Sequence, residues 1–166
     1  VDTTVTNVAE ARGVDPNGAD VTDMDEADAL IPASMAMLDV VKTLVGGPTL
    51  LEDGTVDLRY RIDIANTGNA DVDSIQIQDS LAVYFASVEL NSVSLDNFTA
   101  GLSENASFDG DTDVNTLTGD DSMVPGQTES FEIVLNVGPT GVDTTVTNVA
   151  EARGVDPNGA DVTDMD

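Results

Sequence analysis

A stretch of 25 residues occurs twice in this chain without a single difference. Residues 1–25 read VDTTVTNVAEARGVDPNGADVTDMD, and residues 142–166 read the same. The offset is 141 residues (142 − 1), and 141 + 25 gives the full 166. The chain is one whole period plus an overlap. Self-similarity at a fixed period is the signature of array architectures. This period is too long for a solenoid turn and fits a complete small domain. Residues 1–25 are therefore expected to close a preceding repeat. Residues 26–34, polar and broken by Pro32, are expected to connect, and residues 35–166 to form one repeat. The rival arrangement is donor-strand exchange, in which residues 1–11 insert into another subunit and build a non-covalent filament.

Composition narrows the chemistry. Cys is absent, which excludes disulfides and thiolate catalysis, and so is His, the usual general base. The chain has 32 acidic against five basic residues, a formal charge of −27. Such a field repels nucleic acid and anionic membranes. A salt-adapted surface, simple solubility or bound calcium would each account for it. No apolar run is long enough to span a membrane.

The pattern is that of strands and turns. Residues 56–65 alternate cleanly, with Val56, Leu58, Tyr60, Ile62 and Ile64 on one face and Asp57, Arg59, Arg61 and Asp63 on the other. Strands are also expected over residues 35–45, 72–79, 81–90, 130–137 and 142–152, with a short last one at 160–163. Gly46-Gly47-Pro48 should end the first of these. Asp53-Gly54, the Asn66 to Asn69 stretch, Pro125-Gly126 and Asp156-Pro157-Asn158-Gly159 carry turn chemistry. Short strands separated by turns, without a useful helical period, indicate an all-β, antiparallel β-sandwich.

Several segments together resemble a known surface-protein repeat. They are VDLRYRIDIANTGN at 56–69, IQIQDSL at 75–81, VPGQTE at 124–129 and VTNVA at 146–150. Lys42-Thr43 near the start and FDGDTDVN at 108–115 belong to the same set. In this order they resemble the conserved repeat family of large bacterial and archaeal surface proteins, catalogued as a domain of unknown function (the eleventh in its series). The resemblance covers most of residues 35–166. It implies an immunoglobulin-like sandwich in a long extracellular or cell-surface protein, and no catalysis. The chain departs from the pattern in its acidity and at Leu117, which follows Thr116 where a second leucine is expected.

The expected role is thus structural: a repeat of an extracellular fibre, stalk or adhesin arm, with neighbouring repeats or subunits as partners. The alternative is a calcium-dependent module that binds a glycan or protein ligand. For calcium, Asp109, Asp111, Asp113 and Asn115 place oxygens at every second residue, with Asp120 and Asp121 close enough in sequence to complete a shell. A solvated acidic loop is the plain reading of the same residues. Asp156, Asn158, Asp161 and Asp164 are a weaker candidate, against which an ordinary Asp-Pro-Asn-Gly turn is favoured. Asn97-Phe98-Thr99 and Asn105-Ala106-Ser107 match the glycosylation pattern. No carboxylate is concentrated with a partner His, Lys or Arg in a catalytic motif.

One constellation remains. Alternation puts Leu38, Val40, Lys42 and Leu44 on one face, so the only lysine of the chain points with the apolar set. Val146, Asn148 and Ala150 share a face of the closing strand, and Asp79 follows Ile75 and Ile77 inward. A buried ammonium tends to lose its proton, and a neutral amine is a nucleophile. An isopeptide bond between Lys42 and Asn148, assisted by Asp79, is one expectation. It resembles the isopeptide-forming immunoglobulin-like domains of bacterial pili and adhesins. A buried Lys42–Asp79 ion pair, with Asn148 hydrogen-bonded beside it, is the other.

Overall fold

A computed structural model describes residues 1–139 and 142–166. The chain divides into two compact units, Val1–Ser34 and Met35–Asp166.

The first unit is a hairpin. Strand β1 (Thr3–Val14) pairs antiparallel with β2 (Asp20–Ile31), and both are exposed along their whole length. The Asp15 carboxylate closes the turn by accepting from the backbone N–H of Asn17 and of Ala19, each at 2.8 Å. Gly18 there takes φ +84, a conformation that glycine adopts without a Cβ clash. β2 includes residues 26–31, which the sequence assigns to a connection. The strand stops where Pro32 removes the next N–H from the ladder.

The second unit is almost entirely β. Its elements are β3 (Leu38–Leu50), β4 (Val56–Asn66), β5 (Val72–Gln78), a single helical turn α1 (Leu81–Tyr84), β6 (Leu90–Asp96), β7 (Asp121–Met123), β8 (Thr128–Val137), β9 (Glu151–Val155) and β10 (Asp161–Met165). They form two four-stranded antiparallel sheets, in the orders β3-β4-β8-β6 and β10-β9-β5-β7. The alternating residues of β4 behave as their pattern requires: Leu58, Ile62 and Ile64 are buried. With Val40, Phe131, Ile133 and Leu135 they pack against Val72, Ile75, Ile77, Met123 and Ala152 from the other sheet, in one core. Burial of apolar side chains at this scale is what holds two sheets face to face.

Local structure departs from simple alternation in four places. β3 continues through Gly46-Gly47-Pro48 by means of two register shifts, and Leu44 is left exposed. β5 carries a bulge at Ser74 (φ 54), so that both Val72 and Ile75 point inward and Asp73 points out. The strand expected over 81–90 is interrupted by α1, where Leu81 and Phe85 fill the core from a turn. The closing strand begins only at Glu151, and residues 143–150 approach it without regular structure.

Candidate functional site

Lys42, Asp79 and Asn148 meet inside the second unit. Lys42 lies on β3 opposite Ile62 of β4, a fully buried residue, and after buried Val40 in the inward alternation. Its side chain is only 2% exposed. Asp79 directly follows β5, between buried Ile77 and buried Leu81, and is itself fully buried. Its backbone N–H donates to Val114 O at 2.9 Å, which fixes the strand end. Asn148 precedes buried Ala150, whose N–H donates to Asp166 O at 2.7 Å.

The Lys42 Nζ donates to Asp79 Oδ2. Asn148 Nδ2 reaches the same oxygen at 3.4 Å. One carboxylate oxygen thus gathers the lysine and the carboxamide. The other oxygens are orphans: Asp79 Oδ1 and Asn148 Oδ1 are buried and have no hydrogen-bond partner among the described residues. Leaving a buried polar atom unpaired costs about 1–3 kcal/mol. Two such atoms on adjoining side chains call for a chemical explanation.

Burial disfavours both charges. It pushes the Lys42 amine below its ordinary value, opposed by the charge and hydrogen bond of Asp79 and by the charge of Asp166. Burial also pushes the Asp79 carboxyl up, opposed by Lys42 and by the Asn148 hydrogen bond. Both shifts run toward the neutral form of each group, a proton on the carboxyl and none to spare on the amine, against the attraction of the charged pair. The Tyr60 ring covers the amine, with Nζ 5.0 Å from the ring centroid. Tyr60 was legible as an inward residue of β4, but strand alternation alone does not say which side chain it will face.

The acidic candidates are arranged differently. Asp109 folds its own loop. Oδ1 accepts from Asp111 N and Asp113 N, each at 2.9 Å, and Oδ2 accepts from Thr112 Oγ1 at 2.6 Å. These donors hold its carboxyl at about 2. Asp113 Oδ2 accepts from Asn105 Nδ2 at 3.0 Å, Asn115 Oδ1 accepts from Gln78 Nε2 at 2.9 Å, and Asp121 accepts from Ser103 N at 2.8 Å. Among the described residues no three acidic side chains converge as a metal shell. Asp156 repeats the Asp15 turn, accepting from Asn158 N and Ala160 N at 2.8 Å each. Asp164 does not turn toward that loop: its carboxylate accepts from Val40 N at 2.8 Å, and Asp166 accepts from Lys42 N at 2.7 Å. Of the two glycosylation patterns, the Asn105 amide is engaged by Asp113 Oδ2 and Asn115 O, and the Asn97 amide by Glu132.

No family model matches the chain, and no curated protein matches it.

Proposed function

We propose that the chain is a structural module of an extracellular or cell-surface fibre, stalk or adhesin arm. Its two sheets are read as an immunoglobulin-like sandwich of the surface-repeat type that the sequence resembles, with residues 1–25 closing a neighbouring sandwich. Within the second unit, Lys42 and Asn148 are joined by an intramolecular isopeptide bond.

The observation that carries this reading is the convergence of the only lysine, a fully buried aspartate and an asparagine on one carboxylate oxygen. The neutral Nζ attacks Asn148 Cγ. The new C–N bond forms as the Cγ–Nδ2 bond breaks. Asp79, protonated at the outset, gives its proton to the carboxamide and takes one back from the attacking nitrogen; a proton passed on to Nδ2 lets it leave as ammonia, and no other reactant is needed. A protonated Asp79 carries an O–H donor, and Asn148 Oδ1 is a buried acceptor lacking one. Donation to that oxygen polarises the carboxamide toward attack. The charge balance agrees with the role: a field of −27 suits a solvated spacer and offers nothing to nucleic acid.

Intact mass tests the bond. The mature protein is expected to be lighter than its sequence by one ammonia, and Lys42→Ala to restore the full mass. A mature wild-type chain of full mass would end the proposal.

A further inference from the structure

The two copies of the 25-residue segment have different fates. Residues 142–166 are seated in the second unit, and residues 1–25 stand in a hairpin with both faces exposed. Yet the hairpins match in register. Ala11↔Asp23 and Val14↔Asp20 in the first correspond to Ala152↔Asp164 and Val155↔Asp161 in the second.

One face of the free hairpin is shaped for a seat it does not occupy. Ala9 and Ala11 are exposed, and their counterparts Ala150 and Ala152 are fully buried. A Cβ on Gly13 would meet nothing within 4 Å, and its φ is not positive, so nothing in the hairpin requires glycine. At the counterpart Gly154 a Cβ would collide with Val72 of β5. Asp23 and Asp25 correspond to Asp164 and Asp166, which cap the Val40 and Lys42 N–H groups of β3. Asn7 corresponds to Asn148.

We propose that, in a copy whose own closing segment is not yet sealed to its single lysine, the hairpin of another copy seats on the second unit in the place that residues 142–166 take in cis, and brings Asn7 to Lys42 and Asp79. The inference rests on the isopeptide reading above and extends it between molecules. Lys42 Nζ of the recipient joins Asn7 Cγ of the donor, with loss of ammonia from Asn7. Among chains that lack the cis bond, the contact repeated head to tail does not close and gives a fibre.

The recipient is a second copy because of chain length. Val40 and Lys42 bond to Asp164 and Asp166 in the same order, so β3 and β10 run in the same direction. A hairpin seated this way, with β2 intact, would carry Ile31 about 20 Å beyond the level of Lys42, and Leu38 lies about 13 Å before it. The seven steps from Ile31 to Leu38 reach at most about 25 Å, short of the roughly 33 Å needed.

Asn148→Ala provides the test, since its own closing segment still fits but is never sealed. The full chain is unfolded and refolded at high concentration. The expected result is an SDS-resistant ladder whose cross-link maps to Lys42 and Asn7 of different molecules. The ladder should vanish in Asn7→Ala/Asn148→Ala and in Gly13→Val/Asn148→Ala, and wild-type protein should stay monomeric with its cis bond. Unlinked monomers of Asn148→Ala beside a cis-bonded wild type overturn the exchange and leave the isopeptide reading standing. A Lys42–Asn7 bond within one chain overturns the second-copy assignment. A wild type of full mass defeats the bond itself. Monomers of Asn148→Ala by light scattering would then overturn the docking too.

Discussion

Replacing Asn148 by Ala removes one carboxamide and leaves the Lys42–Asp79 contact in place. If the bond exists, the loss is that of a covalent tie across 106 positions (148 − 42). Closing a loop near 100 residues in the unfolded chain is worth about 4.7 kcal/mol by the chain-entropy relation known from disulfides. Asn148→Ala should lower the denaturant midpoint by a corresponding amount. A change of a few tenths of a kcal/mol would mean that no tie was lost. The bond's formation has its own pH signature. Attack requires a neutral amine beside a protonated carboxyl, one proton shared by the pair. At low pH both groups are protonated and the nucleophile is lost; at high pH both are deprotonated and the acid is lost. Burial pushes Lys42 down and Asp79 up, which broadens acidity's reach over the carboxyl and narrows it over the amine. The rate of ammonia loss by freshly refolded chain, followed by mass, should therefore be bell-shaped in pH. Tyr60 and Asp166 also face the amine, and Asp79→Asn should abolish the reaction.

At the level of the strand, the paired glycines make a sharp comparison. Gly154→Val drives a side chain into Val72, and overpacking of a filled core costs about 1–3 kcal/mol. Gly13→Val places the same side chain in open space on a strand, where a β-branched residue is favoured. Thermal unfolding of the second unit should shift down for the first variant and stay unchanged for the second. Equal effects would contradict the seat described for residues 142–166. The strands also show what the sequence can and cannot carry. Inward placement of Lys42 and Asp79 was legible, because side-chain direction follows from a period of two wherever a strand is regular. The Ser74 bulge was not, since one inserted residue shifts the phase without a Gly or Pro to mark it. The α1 turn was hidden for a similar reason: Leu81 and Phe85 read as apolar strand positions, and four residues are too few for a helical period to appear. Asn148 reaches the site from irregular chain, three residues before the strand expected to carry it begins, so a period of two does not account for its direction. The acidic loop was legible as a loop but not in its bonding. Asp109 takes its donors from Asp111, Thr112 and Asp113, and alternating oxygens look the same in sequence whether they face a cation or their own backbone.

For the molecule as a whole, the position of the proposed tie would fix what tension can do. Lys42 sits near the start of the second unit and Asn148 near its end, so with the two joined a pulling force applied through the termini would enter the fold at these residues. Every position between them would be shielded from the load. About 106 residues of contour, close to 370 Å at full extension, would stay out of reach, and only the flanking residues and the free hairpin could lengthen. Stretched singly, the wild-type chain should rupture without a length step of that size, and Asn148→Ala should show one. A strand of such modules would then behave as a cable of nearly fixed length, dissipating little work until its backbone fails.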